Sequence, residues 1–344
     1  MRLGLSIGYS GAHLDLPVAR VQLAERLGYD SVWTAEAYGS DALTPLAYLA
    51  AVTKRIRLGT GIMQLAARTP AAAAMAVGTI DALAGGGRVI AGLGVSGPQI
   101  VEGWYGQPWG KPYWRLRDYV AIMRKVFARK SPVQHEGREI SLPYTGPGSA
   151  GLAKPLTSIL HMRPDIPVWL GTGGESTVKL TAEIADDWLP LGFTPARMKA
   201  FRPWLDEGLR RAGGKTLRDL EIQPRAFVVL TDDVRAGLQT LKPRAALYVG
   251  GMGHRDKNFH TQAMTANGYG EAAERIQELY LAGRKAEAVA AVPDDFIDEG
   301  ALVGPRHRIR ERFRAWADSG ATGLTVATQQ DEAIELMADL AGCR

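Results

Sequence analysis

The chain has 344 residues, 46% of them hydrophobic and 22% charged, which supplies a sizeable core and excludes a disordered or collagen-like polymer. Its 41 basic and 36 acidic residues alternate along the sequence, so the formal charge of +5 describes a mixed solvated surface that favours an anionic cofactor or substrate. No helix-turn-helix, zinc or RNA-binding signature points to nucleic acid, and the one cysteine, Cys343, leaves no intrachain disulfide or thiolate metal site.

The opening MRLGLSIGYSG reads as a strand rather than a cleavable leader, and no apolar run reaches the roughly 18 residues of a membrane span. A reducing cytoplasm, with no membrane partner, is the expected setting. RLGLSIG (2–8) is the first predicted strand, VARVQLAERLG (18–28) has helical apolar spacing, and YDSVWT (29–34) is the second strand. A helix over 45–54 leads to RIRLGTG (55–61), an Ala-rich helix over 71–83 follows, and GRVIAGLG (87–94) is the fourth strand. Alternation of this kind implies a parallel sheet covered by helices.

After Gly94 the rhythm breaks over an excursion at about 98–165, which holds the aromatic loop WYGQPWGKPYW (104–114) and a helix over 115–128. IPVWLG (166–171), DWLPLG (187–192), RAFVVLT (225–231) and GATGLTVAT (320–328) complete eight strands, with a second excursion at about 232–319. ALYVGG (246–251) is an apolar run that periodicity alone does not assign to strand or helix. The pattern predicts one domain over 1–344, an α/β fold of the (β/α)8 barrel type with insertions after strands 4 and 7. In such barrels the chemistry gathers at the C-terminal strand ends.

Several of those ends carry candidate chemistry. RLGTGIMQLAARTP (57–70) places Gly59 and Gly61 where the chain should still be extended, which implies a bend or a close approach. GLGVSG (92–97) has G-x-G-x-x-G spacing, but it stands in the fourth unit with Pro98 behind it, so a backbone bend near a ligand suits it better than a Rossmann site. GTGGES (171–176) joins a strand to a helix whose free amides would hold a phosphate, or it is simply a tight turn. WTAEAYGSD (33–41) brings Glu36 to the mouth, either to exchange a proton and orient a ligand or as a loop acid.

No metal is expected, because His13, His135, His161, His254, His260 and His307 show no ligand spacing. With neither a G-x-S-x-G elbow nor a Walker loop, an organic cofactor is left to carry the chemistry.

Taken in order, AERLGYDSVWTAEAYGSDALTPLAYLAAVTKRIRLGTGI, ARTPAAAAM, GLGVSGPQIVEGWYG, GLAKPL, IPVWLGTGG, AEIADDWLP, LYVGGMGHRDKNFH and ALVGPRHRIRERF resemble the luciferase-like monooxygenase superfamily. The resemblance is to its deazaflavin branch, which includes methylene-tetrahydromethanopterin reductase. It implies a barrel that binds coenzyme F420, or FMN in other branches, usually as a homodimer.

By position, the resemblance makes Gly61–Ile62 a non-prolyl cis peptide behind the ring, sets Gln64 along the cofactor and Gly94, Val95 and Ser96 near it, and gives Thr172, Gly173 and Gly174 the phosphate. Glu36 becomes the catalytic acid beside the ring, also in cofactor contact. Ser6, Trp104, Trp109 and Asn258 fall to the substrate pocket, with Tyr105, Trp114 and His260 as further candidates. Ser6 replaces a glutamate of the methanopterin reductase, and Ala35-Glu36 replaces the Asp-His pair of the related sugar dehydrogenase, so neither substrate carries over. The implied activity is hydride transfer between the deazaflavin C5 and an unidentified small organic substrate. An FMN-dependent monooxygenase and a silent cofactor-binding homologue are the alternatives.

Overall fold

Short runs rich in Val, Ile and Leu, bounded by glycine or by helix starts, become the strands of this chain. The computed structural model describes residues 1–343. Its strands are β1 (Arg2–Gly8), β2 (Ser31–Thr34), β3 (Arg57–Thr60), β4 (Val89–Gly94), β5 (Val168–Thr172), β6 (Asp187–Pro190), β7 (Arg225–Leu230), β8 (Ala301–Gly304) and β9 (Gly323–Ala327). They lie parallel in the order β8-β7-β9-β1-β2-β3-β4-β5-β6, with Met63–Gln64 paired beside β4.

The sheet curls into a barrel whose closing seam is split. Near the N-terminal end, Trp188 of β6 bridges Ile222, just ahead of β7, with hydrogen bonds of 2.9 and 3.0 Å between Trp188 and Glu221 and Gln223. Farther up, β8 pairs with Phe227–Leu230 instead. All eight expected segments hold a strand, and β8 is one more, within the segment expected as the second excursion. ALYVGG does not form a strand: Leu247–Gly251 is a π-helical turn, with Gly250 and Gly251 against the Tyr280 side chain.

The first excursion carries helix Pro112–Ala128 and a two-stranded hairpin, His135–Glu136 with Ser141–Leu142. The second builds its own apolar cluster from Leu238, Val249, Met264, Ile276 and Val303, which the lumen-facing Phe227 and Val229 join.

Side chains fill the lumen in layers, as strand alternation requires. At the N-terminal end Arg57 pairs with Asp30 and Glu221. Above it Gln223 Nε2 donates to Ser31 Oγ and Thr325 Oγ1 at 3.3 and 3.0 Å. Trp33, Ile90 and Trp169 then close the barrel, the two indoles 5.1 Å apart. Gly59 faces this layer, and a Cβ there would lie 2.5 Å from the Trp33 ring. That glycine exists for the indole.

Candidate functional site

Above the tryptophans, β3 ends and the chain turns. The Gly61–Ile62 peptide is cis, and Met63–Gln64 resumes pairing with Leu93–Gly94. The Ile62 side chain lies across Gly94 and Gly171, at each of which a Cβ would come within 2.7 Å of it. Two lumen-facing glycines on adjacent strands therefore seat one half-buried isoleucine at the mouth. Val95 and Ser96 follow Gly94 at the same rim, both half-buried, and among the described residues the Ser96 hydroxyl has no hydrogen-bond partner.

Glu36 follows β2 and is buried. Arg68 Nη1 and Nη2 donate to its two oxygens at 2.8 and 3.0 Å, while the Gln64 and Ala42 amides donate at 2.7 and 3.1 Å. Arg68 is held by its position just ahead of helix Pro70–Leu83, which Thr69 caps with Pro70 in the first turn. Four donors satisfy the acceptor sites of the carboxylate. These bonds commit both Glu36 oxygens to holding the β2 loop against the β3 loop.

Gln64 completes the clamp. Its Nε2 donates to the Glu36 carbonyl at 3.0 Å, whereas its Oε1 is buried without a donor. An unpaired buried acceptor is costly unless a ligand supplies its partner.

At the end of β5, Thr172 differs from expectation. Its hydroxyl meets Thr181 Oγ1 at 2.8 Å, and Thr181 in turn donates to the Thr177 carbonyl, so the Thr172 donor is used internally. Gly173 and Gly174 do lead into helix Glu175–Ile184, whose first turn has no side-chain cap. Free amides at such a helix start form an anion site.

The expected substrate-pocket residues separate. Ser6 lines a cavity of about 230 Å³ at the β1 and β9 rim with Tyr9, Ser10, His13, Arg20 and Thr328. Neither Ile62 nor Gln64 reaches that cavity. Trp104 is 62% exposed and lies outside that cavity. Trp109 packs against Phe259 at 6.4 Å, with Lys257 Nζ 4.9 Å from its ring, so it joins the two excursions.

Asn258 is a buried cap. It accepts from the His260 and Thr261 amides and donates to the Tyr248 and Val249 carbonyls, which leaves it nothing to offer a substrate. Trp114 lies under Arg138 on helix Pro112–Ala128, whereas the Tyr105 hydroxyl donates to the Ala37 carbonyl at 3.3 Å, beside Glu36.

Sequence reasoning missed Arg68 and a cluster formed by Tyr9, Arg225, Arg244 and Tyr248. The signal for Arg225 was available: it alternates with Phe227 and Val229 on the lumen face of an otherwise apolar strand.

The site fits a ligand with a flat ring, a ring N–H and a phosphate. Ile62 offers the ledge, Gln64 Oε1 the unpaired acceptor, and the helix at Glu175 the free amides. Among the described residues no group of three His, Cys, Asp or Glu side chains forms a metal site, and no helix is long and apolar enough to cross a membrane.

Comparison with known proteins gives the chain a family. Residues 2–323 match the family model described as luciferase-like monooxygenase. The chain is 46% identical, over 99% of both chains, to a Mycobacterium tuberculosis protein named, provisionally, a coenzyme F420-dependent oxidoreductase. It is 25% identical to the 5,10-methylenetetrahydromethanopterin reductase of Archaeoglobus fulgidus over 92% of each. Its fold is similar to that of the coenzyme F420-dependent tetrahydromethanopterin reductase of Methanopyrus kandleri, with a TM-score of 0.78 at 22% identity over 98% of this chain and 97% of that one.

Proposed function

Because the chain belongs to the luciferase-like monooxygenase family, we propose that it is a coenzyme F420-dependent oxidoreductase that acts on a small organic substrate at the barrel mouth. The full-length likeness to the M. tuberculosis oxidoreductase carries this reading. Ile62, seated on Gly94 and Gly171, backs the ring. Gln64 Oε1 accepts a ring N–H, Val95 and Ser96 flank it, and Gly173 and Gly174 with the amides of the following helix take the phosphate.

When bound, the deazaflavin supplies two-electron hydride chemistry at C5, so the protein's share of catalysis is positioning. Glu36 contributes by holding the Gln64 backbone and Arg68 in place. The layer of Trp33, Ile90 and Trp169 keeps water from reaching the ring through the barrel.

Titration of the purified protein with coenzyme F420 and with FMN, followed by ligand fluorescence, tests the reading. F420 should bind at least about tenfold more tightly than FMN. Tight FMN binding without F420 binding would instead identify an FMN-dependent monooxygenase.

A further inference from the structure

The lumen face of β7 carries a cation with no anionic partner among the described residues. Arg225 shares that face with Gln223 below it and Phe227 above it, and among the described residues it makes no hydrogen bond and meets no carboxylate. Its guanidinium lies 5.3 Å from the Phe227 ring. A second guanidinium, that of Arg244 at the end of helix Val234–Ala246, lies 5.6 Å from the same ring. Arg244 Nη2 donates to Tyr248 Oη at 3.0 Å, and Tyr248 Oη is 3.2 Å from Tyr9 Oη.

Two like charges gathered on one phenyl ring repel each other, and the charged and titratable side chains acting on Arg225 are Arg244, Tyr248 and Tyr9, with no carboxylate among them. Solvent reaches Arg225 through the mouth, yet protein surrounds it closely: burial first, and Arg244 second, push its pKa down to about 10, which still leaves a cation at neutral pH. His260, edge-on to Tyr248 at 4.7 Å, adds no third charge, because burial and the two arginines push its pKa down to about 4. The cluster is thus a positive site with two hydroxyls and a neutral imidazole around it. It lies on the β7, β9 and β1 arc of the mouth, whereas Ile62, Gly94 and Gly173 occupy the β3, β4 and β5 arc.

We propose that Arg225 and Arg244 form the receptor for an oxyanion on the substrate, a carboxylate or a phosphate, with the Tyr9 and Tyr248 hydroxyls completing it. The inference rests on the reading of the mouth as the substrate site of an F420-dependent oxidoreductase. It narrows the substrate class to anionic molecules. Paired guanidiniums suit this task because each offers planar, two-point hydrogen bonding to such a group.

Isothermal titration with hexanoate and with hexyl phosphate, with hexanol as the neutral control, tests the receptor beside a fluorescence titration with F420. The expected result is one Arg225-dependent anion per chain, apart from any phosphate held at the helix after Gly174, and no hexanol binding. Affinity should fall at least about tenfold in Arg225→Gln and less in Arg225→Lys, while F420 affinity stays within about threefold of the wild type. The stronger of the two anions identifies the group.

Because Arg225 donates no hydrogen bond within the protein, its loss should leave the melting temperature nearly unchanged. Arg244→Gln, at an exposed helix end, repeats the test from the second guanidinium. Equal anion affinity in the wild type and the variants overturns the proposal, as does a wild type that binds neither anion. An equal loss of F420 affinity in Arg225→Gln also overturns it, by giving the arginines to the cofactor's own phosphate. Anion binding that depends on Arg225 in a protein unable to bind F420 supports the receptor and overturns the cofactor reading alone.

Discussion

Glu36 and Arg68 form a two-point ion pair at 2.8 and 3.0 Å, in which the carboxylate is almost wholly buried. Removing one member leaves the other charge buried and short of partners. Arg68→Met should therefore lower stability by about 3–5 kcal/mol in urea denaturation, and the double variant Glu36→Gln/Arg68→Met should regain part of the loss. A loss below about 1 kcal/mol in the single variant would show that solvent, not Arg68, satisfies the carboxylate.

Gln64 gives a separable effect. Gln64→Leu removes an amide donor but also an acceptor that has no partner within the protein, so stability should change little. F420 affinity should fall roughly tenfold, the loss expected for one hydrogen bond to a ligand. Unchanged affinity by fluorescence titration would remove Gln64 from the cofactor site.

Two glycines of similar crowding should behave differently because they crowd different things. Gly59→Ala sets a methyl group against the Trp33 ring and should destabilise the fold by about 1–3 kcal/mol with no direct effect on the cofactor. Gly94→Ala displaces Ile62 at the mouth, so F420 affinity should fall by more than stability does. Parallel losses in both variants, measured by denaturation and by titration, would contradict the ledge.

The N-terminal end of the lumen sets a pH dependence. Burial chiefly, with Glu221 and Asp186 adding to it, raises the Asp187 pKa from 3.8 to about 7. The folded chain thus keeps a proton that the unfolded chain releases near pH 4, and stability falls as pH rises from about 4 to about 7 before levelling off. Asp187→Asn removes this slope while keeping an acceptor for the Glu221 amide. Its stability relative to wild type should rise by on the order of 1–3 kcal/mol between about pH 5 and pH 8 in urea denaturation. A difference independent of pH would place the titration elsewhere.

The barrel was legible because its strands are short apolar runs punctuated by glycine, and such runs depend on local sequence. β8 was not, since four residues ending in Gly304 between helical segments carry too little periodicity to stand out. Glu36 stood out in the sequence but its partner did not: Arg68 lies 32 residues away, and only the folded β2 and β3 loops bring the two together. For Asn258 and Trp104 the sequence does not say whether a side chain caps a helix or faces solvent. The glycine-rich end of β3 serves two purposes that sequence could not separate, since Gly59 makes room for an indole below while Gly61 begins the turn to Ile62.

The layer of Trp33, Ile90 and Trp169, with the Arg57 ion pairs beneath it, makes the barrel a cup rather than a tube. Whatever enters must leave by the same doorway. On the proposed reading of the mouth as the substrate site, product and incoming substrate share one queue, and turnover passes through a step in which the mouth empties before it fills again.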